Sequence, residues 1–210
     1  MSNTILLATS NEHKLDEVRQ ILCPLGFTVQ GLDSTGLSIP APVEDGTTFE
    51  ENARIKAVTY ARAAGRISLA DDSGLEVDAL GGAPGIHSAR FSGVEGSRSE
   101  RDSANNRKMV SMLRELSAEE SPARFVCAMC LATPDGRILA ETRGEFAGVI
   151  VTEPRGDNGF GYDPHLFIPE LGLTSAELSS DDKNARSHRG DAVRQMAVLL
   201  ESIGLDLDGD

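Results

Sequence analysis

The sequence predicts an α/β protein. Short apolar runs with β-branched residues alternate with longer segments whose apolar residues recur at helical spacing, and turn residues separate the two kinds of segment. The chain has 210 residues, 40% of them hydrophobic, which is enough to bury a core as one domain or as two lobes. We therefore expect a globular chain without internal repeats.

Strands and helices alternate along the first third of the chain. Strands are predicted for "TILLAT", "FTVQGL" and "ISLADD", the third of which is expected to end at its two adjacent aspartates. Apolar residues at helical spacing over 15–22 predict a helix that ends before Pro24. The proline-rich "SIPAPVEDG" predicts a loop. A capping box of Thr47 and Glu50 predicts that the next helix begins there and runs to Gly65.

The remainder of the chain continues this alternation. A glycine-rich loop is expected over 73–93, and a helix over 98–116. The turn residues Pro134–Gly136 lie between two extended runs and predict a β-hairpin. Residues 159–170 are expected to form a loop with a short strand, and 174–205 to be mostly helical with a break near the paired serines.

Composition excludes several classes of function. The formal charge of −13, from 20 basic and 33 acidic residues, opposes nucleic-acid binding, although a small phosphorylated ligand with a divalent cation stays compatible. No apolar run can span a bilayer and no signal peptide is evident, so we expect a cytoplasmic protein without a membrane partner. Cys23, Cys127 and Cys130 are interpreted as free thiols, since "CAMC" lies in a predicted strand and lacks a second ligand pair.

The stretch "TSNEHK", Thr9–Lys14, lies where the first predicted strand gives way to a helix. Helix N-termini present unpaired amides and a partial positive charge, and Thr9, Ser10 and Asn11 add polar donors. Lys14 lies one turn inside the helix, so this stretch could bind phosphate. A plain N-cap is the alternative interpretation.

Two adjacent carboxylates, Asp71 and Asp72, are the second candidate site. Glu44, Glu50 and Glu51 precede them, and Mg²⁺ prefers one or two carboxylates together with water and phosphate oxygens. The alternative is that Asp71 caps the following turn while Asp72 is solvated. The glycines that follow favour a ligand site, because they let the backbone approach a ligand closely.

Two later stretches have the chemistry of a base pocket. "GDNGFGYDP" surrounds one aromatic side chain, expected to be exposed, with glycines, which suits a ring that stacks on a planar base. "DDKNARSHRG" gathers Lys183, Arg186, His188 and Arg189 in an otherwise acidic chain. These side chains could donate to the edge of a base, or they could form a solvated helix face.

Five stretches, in this order, resemble the signature stretches of the inosine triphosphate pyrophosphatase family, also called the non-canonical purine NTP pyrophosphatases. They are "TSNEHK", "FEENARIKA", "LADDSGLEVDALGGAPGIHSARFSG", "GFGYDP" and "DDKNARSHRG", and together they extend from Thr9 to Gly190. The resemblance implies a single domain over residues 1–210, with a two-lobed α/β fold, a long mixed sheet flanked by helices and an active-site cleft between the lobes. It also implies a homodimer that hydrolyses ITP, dITP and XTP to the monophosphate and pyrophosphate with Mg²⁺.

The resemblance also assigns residues to roles. Asp72 is the implied catalytic residue, and Glu44 and Asp72 are the implied metal ligands. The implied substrate-binding residues are Thr9, Ser10, Asn11, Glu12, His13, Lys14, Ser73, Phe160, Gly161, Tyr162, Asp163, Lys183, His188 and Arg189. Asp72 would orient and deprotonate the attacking water. Because a carboxylate bound directly to Mg²⁺ is a poor base, the alternatives are action through a metal-bound water or transfer of the proton to another acid. Lys183, His188 and Arg189 would donate to the 6-oxo group that hypoxanthine and xanthine carry and adenine lacks.

Two other functions fit the same residues. A nucleotide pyrophosphatase with another base preference would keep the metal site but be indifferent to hypoxanthine. A nucleotide-binding module without turnover would use the carboxylates only to hold Mg²⁺. The presence of Glu44, Asp72 and Lys14 favours turnover.

Overall fold

A computed structural model describes residues 3–203, and within them seven strands form one mixed sheet. The strands are β1 (Thr4–Leu7), β2 (Thr28–Gln30), β3 (Ser68–Val77), β4 (Glu120–Ala132), β5 (Ile138–Val151), β6 (Leu166–Ile168) and β7 (Leu173–Thr174). Their order in the sheet is β2-β1-β3-β4-β5-β6-β7. Strand β1 runs parallel to β2 and β3, whereas β6 runs antiparallel to β5 and β7.

Helices connect and flank these strands. They are α1 (Glu12–Leu22), α2 (Phe49–Ala64), α3 (Arg98–Glu115), α4 (Ser180–Arg186) and α5 (His188–Ile203). The predicted α/β class, with a mixed sheet flanked by helices, is thereby confirmed. Among the described residues, no helix combines the length and apolarity that crossing a membrane would need.

The chain separates into two compact units. Of the described residues, 3–72, 127–144 and 188–203 belong to the first, and 73–126 and 145–187 belong to the second. Each unit has its own apolar core. The first core draws its side chains mainly from β1, α1, β4 and α5, and the second from α3, the other half of β4, and β6.

Local sequence signals explain where the helices begin. The side chain of Asn11 accepts a hydrogen bond from the N–H of His13 and caps α1. Helix α2 is capped by Thr48, which accepts from the N–H of Glu51. The predicted cap at Thr47 is therefore one residue too early, because the extended backbone of Thr48 places its hydroxyl over the first turn.

Strand β3 corrects a second expectation. The strand does not end at Asp71 and Asp72 but continues to Val77. Leu75 and Val77 are fully buried in the core of the second unit, and their burial accounts for the extension into a stretch that its glycine content marked as a loop. The two aspartates thus lie in the middle of a strand, where consecutive side chains point to opposite faces.

The predicted hairpin and the interpretation of the cysteines are consistent with the fold. Strands β4 and β5 flank a turn in which Gly136 has a φ of 90°. Cys127 and Cys130 are completely buried in β4, and all three cysteines are free thiols. Over the predicted helical stretch 174–205, Thr174 ends β7, and α-helix begins only after Ser179, which caps α4, with a further break at Ser187. Residues 204–205 of that stretch lie outside the described residues.

Gly144 allows β5 and α5 to approach closely within the first unit. A Cβ at this position would clash with the carbonyl oxygen of His188 and would lie 2.6 Å from the amide nitrogen of Ala192. Both are backbone atoms of α5, so they could give way only if the helix moved. A side chain at residue 144 is therefore incompatible with this packing.

Candidate active site

Two carboxylates in the first unit converge on one ammonium group. Lys56 Nζ donates to Asp72 Oδ1 at 2.8 Å and to Glu44 Oε2 at 3.0 Å. Asn52 Nδ2 donates to the other oxygen of Asp72 at 3.2 Å. Asn52 and Lys56 are one turn apart on α2, so the same helix face holds both oxygens of Asp72. Glu44, Lys56 and Asp72 form what we call the carboxylate–lysine cluster.

The surroundings of Asp72 adjust its affinity for a proton. Burial raises the pKa of Asp72, and the negative charge of Glu44 raises it further. The charge and hydrogen bond of Lys56 and the hydrogen bond of Asn52 act in the opposite direction, but the pKa stays above its usual range. A carboxylate with a raised pKa is a stronger base than an exposed aspartate, while the bridging ammonium keeps it oriented.

Lys56 keeps its proton despite its burial. Burial lowers the pKa of Lys56, but the carboxylates of Asp72, Asp71 and Glu44 outweigh that effect and raise it above the usual value. The ammonium therefore supplies a fixed positive charge beside Asp72. Sequence reasoning missed Lys56 as a site residue, although its spacing of four from Asn52 within "FEENARIKA" was the available signal.

Asp71, the neighbour of Asp72, belongs to a different ionic network. Lys14 Nζ donates to Asp71 Oδ2 at 2.7 Å, and Arg189 Nε lies 3.5 Å from the same oxygen. Arg189 also forms an ion pair with Glu17 of α1. Burial alone would raise the pKa of Asp71, but Lys14, Arg189 and Lys56 hold it well below its usual range. Asp71 is therefore a permanent anion that fixes two cations.

The segment expected to bind phosphate forms the start of α1. Thr9 Oγ1 accepts from the N–H of Asn11 at 3.1 Å, and Asn11 Oδ1 accepts from the N–H of His13 at 3.2 Å. Ser10, Glu12 and His13 are exposed at this helix end. Lys14 is half-buried because its ammonium reaches Asp71. The structure thus brings Lys14 into the same unit as the carboxylate–lysine cluster.

The residues expected to bind the base are divided between the two units. Phe160, Gly161, Tyr162, Asp163 and Lys183 belong to the second unit. His188 and Arg189 are buried at the start of α5 in the first unit, where Arg189 is engaged with Asp71 and Glu17. Ser73 is a half-buried residue of β3 directly after Asp72.

Asp163 organises the loop of the second unit. Its carboxylate accepts from the N–H of Phe160 at 2.8 Å, from Ser175 Oγ at 2.9 Å and from Lys183 Nζ at 2.5 Å. Gly159 has a φ of 77°, and a Cβ there would clash with the Asp163 carboxylate. Lys183 Nζ lies 5.1 Å from the centroid of the half-buried Phe160 ring. The loop therefore holds an accessible aromatic ring beside a cation.

Tyr162 has a structural environment. Its ring is 5% exposed and packs in the core of the second unit, and its hydroxyl donates to the carbonyl oxygen of Ser88 at 2.9 Å. Burial, and to a smaller extent the charge of Asp102, raises the pKa of Tyr162, so the hydroxyl stays protonated. Of the two aromatic residues in the loop, Phe160 is the more exposed one.

The donor set of the carboxylate–lysine cluster suits Mg²⁺. Within residues 3–203, no group of three or more His, Cys, Asp or Glu side chains forms a ready metal site. Glu44 and Asp72 nevertheless both contact the ammonium of Lys56, so their oxygens reach one common point. Mg²⁺ commonly takes one or two protein carboxylates and completes its shell with water and substrate phosphate. Glu50 and Glu51 are engaged elsewhere, with Arg143 and Thr47 respectively.

Comparisons with known proteins match nearly the whole chain. Residues 5–199 match the model of the Ham1 family. A dITP/XTP pyrophosphatase of Exiguobacterium is 49% identical over 197 residues, which cover 93% of this chain and 96% of the relative. A dITP/XTP pyrophosphatase of Nitratidesulfovibrio vulgaris is 49% identical over 199 residues, covering 93% and 95%. The structure of a HAM1 protein from Coxiella burnetii is similar with a TM-score of 0.86 and 36% identity, covering 96% of this chain and all of that one.

Proposed function

The chain belongs to the Ham1 family, and on that premise we propose that it hydrolyses non-canonical purine nucleoside triphosphates such as ITP, dITP and XTP. Breaking the anhydride bond between the α and β phosphates gives the nucleoside monophosphate and pyrophosphate. The resemblance to the inosine triphosphate pyrophosphatases that the sequence motifs indicated is confirmed by relatives named dITP/XTP pyrophosphatase. The observation that carries the assignment to particular residues is the carboxylate–lysine cluster.

Asp72 is proposed as the general base. Lys56 and Asn52 fix the orientation of its two oxygens, so the carboxylate is held in place to accept a proton. It would accept a proton from the attacking water as the anhydride bond breaks. The bridging charge of Lys56 also limits the repulsion between the Asp72 carboxylate and an incoming polyanion.

Mg²⁺ is proposed as the cofactor, with Glu44 and Asp72 as its protein ligands. When bound, the ion would neutralise charge on the triphosphate and make the phosphorus more susceptible to attack. In the structure both carboxylates already converge on one positive charge, the ammonium of Lys56, and this convergence supports their use as ligands of one cation.

The start of α1 is proposed to bind the phosphates. Lys14 supplies a positive charge held in place by Asp71, and the exposed helix end supplies backbone amides and the Ser10 hydroxyl. These groups would stabilise the negative charge that develops on the departing pyrophosphate.

Selection of the base is proposed to combine stacking and hydrogen bonding. Within the second unit, the Phe160 ring would stack on the purine, and Lys183 would donate to its 6-oxo group. Adenine carries an amino donor at that position, which cannot accept a hydrogen bond from this ammonium, so the mismatch costs binding energy. The proposal includes a single functional domain over residues 1–210 and a homodimer, which the family resemblance implies, and a cytoplasmic location, which rests on the sequence composition.

Pyrophosphate release from dITP, XTP, dGTP and dATP, measured with and without Mg²⁺, tests this function. We expect Mg²⁺-dependent release from dITP and XTP. The Asp72→Asn variant should lose about 100-fold or more in kcat, because it removes the general base. Asp33→Asn, a matched substitution at an exposed turn residue, should retain the activity. Wild-type rates in Asp72→Asn, or tight binding of dITP without release, would contradict the proposal.

A further inference from the structure

Three polar residues of α3 form a stripe that faces the loop carrying Phe160. Arg98, Asp102 and Asn106 are spaced four residues apart, so they lie on one face of the helix. All three contact residues 160–161 within the second unit. Sequence reasoning assigned no function to α3, and the roles proposed above use none of these residues.

The stripe engages both backbone polar groups of Gly161. The N–H of Gly161 donates to Asp102 Oδ2 at 3.1 Å, and its carbonyl oxygen accepts from Asn106 Nδ2 at 2.9 Å. Gly161 has a φ of 62°, a conformation that side-chain-bearing residues rarely adopt. One helix therefore fixes the peptide groups on both sides of this residue, directly after Phe160.

The ring of Phe160 is held from the same helix. The guanidinium carbon of Arg98 lies 4.3 Å from the ring centroid, a cation–π contact. The N–H of Phe160 is held by Asp163 on the other side of the residue. The ring is half-buried, so its orientation depends on these contacts more than on core packing.

Helix α3 is itself well anchored, as a positioning element must be. Ser97 and Glu100 form a complete capping box at its first turn. Asn105 Nδ2 donates to the carbonyl oxygen of Ser88 at 3.1 Å, the same oxygen that accepts from the Tyr162 hydroxyl. Tyr162, which follows Gly161, and helix α3 thus both donate to the carbonyl oxygen of Ser88.

We propose that Asp102 and Asn106 are positioning residues that hold Phe160 in the orientation required to stack on the purine of the substrate. This inference rests on the proposed function and adds α3 to the determinants of base binding. Stacking remote from the reacting phosphate contributes equally to the bound substrate and the transition state, so its loss raises KM and leaves kcat unchanged. Stacking also tolerates different bases, so KM for dITP and for XTP should rise by the same factor.

Steady-state kinetics of a double-mutant cycle provide the test. The variants are Asp102→Ala, Asn106→Ala, Phe160→Ala and the combination of each α3 change with Phe160→Ala. Loss of one hydrogen bond to Gly161 should raise KM about 2- to 12-fold with kcat unchanged. In the Phe160→Ala background, the α3 changes should have no further effect on KM, because the ring through which they act is absent.

Two controls separate positioning from general stability. Asp102→Asn keeps an acceptor for the Gly161 N–H and should restore the wild-type KM. Arg101→Ala, at an exposed position of the same helix, should leave both constants unchanged. If Asp102→Ala does not fold, Asn106→Ser provides the same test, because it removes the hydrogen bond to the carbonyl oxygen of Gly161 instead of the one from its N–H.

The outcomes are distinct. A KM that is unchanged in the α3 variants, a fall in kcat at constant KM, or an equal rise in KM with and without the Phe160 ring would each overturn the inference. In those cases the wild-type enzyme still hydrolyses dITP, and the proposed function stands. If the wild-type protein hydrolyses neither dITP nor XTP, the proposed function fails and this inference fails with it.

Discussion

Replacing Asp71 by Asn should strongly destabilise the protein although the side chain keeps its size. Asp71 is 4% exposed and binds Lys14 at 2.7 Å, and the guanidinium of Arg189, itself 3% exposed, lies 3.5 Å away. The substitution removes the negative charge and leaves the half-buried Lys14 and the buried Arg189 with less compensation. Breaking a buried ion pair from one side typically costs about 3–5 kcal/mol of the free energy of unfolding.

Urea unfolding of the wild type and of Asp71→Asn at pH 7 measures this cost. Asp16→Asn is a matched control, because Asp16 pairs with Arg19 at an exposed position and such pairs are worth roughly 0–1 kcal/mol. In thermal unfolding, each kcal/mol of lost stability should lower the Tm of a chain of this size by roughly 2–4 °C. A loss below about 1 kcal/mol for Asp71→Asn, similar to that of the control, would refute the reasoning.

The same pair of proteins makes a prediction about pH. The pKa of Asp71 is lowered in the folded state, so its stabilising contribution is fully present above the unfolded pKa of about 3.9 and declines as the pH falls below that value. The difference in stability between wild type and Asp71→Asn should therefore be constant near neutrality and narrow below about pH 4. A difference in the free energy of unfolding that widened as the pH fell would contradict the lowered pKa of Asp71.

Three further results are expected. Lys56→Met should move the acid limb of the kcat/KM profile to higher pH, because Lys56 lowers the pKa of Asp72; an unchanged limb would contradict that coupling. Gly144→Ala should destabilise the protein by more than Gly81→Ala in urea unfolding. A Cβ at Gly144 meets the backbone of α5, whereas one at Gly81 meets nothing within 4 Å and costs only the strain of its φ of 64°. A thiol reagent should label only Cys23 in the native protein and all three cysteines in denaturant, since the other two are buried.

The sequence predicted the helices and strands better than the effects of long-range packing on them. Caps, prolines and helical spacing placed the helices, because these signals act over a few residues. The cap at Thr47 was wrong by one residue, since two adjacent threonines offer the same hydroxyl to the first turn. The continuation of β3 to Val77 was missed because burial in the second core outweighs the turn propensity of the local sequence.

The candidate site shows the same division between local and long-range information. Asp71 and Asp72 were grouped because they are adjacent, yet they belong to separate ionic networks. Alternation along a strand indicates that neighbouring side chains diverge, but no local pattern predicts that Lys14 reaches Asp71 from 57 residues away. The role of Lys56 likewise depends on a contact made only in the folded chain.

Selectivity among nucleotides tests the central claim most directly. A mixture of dITP and XTP with equal amounts of dATP, dGTP, dCTP and dTTP should be incubated with the protein and Mg²⁺, and each triphosphate followed by chromatography. We expect dITP and XTP to disappear first, with their monophosphates and pyrophosphate as products, while the four canonical nucleotides persist. Consumption of dATP or dGTP at the rate of dITP would contradict it.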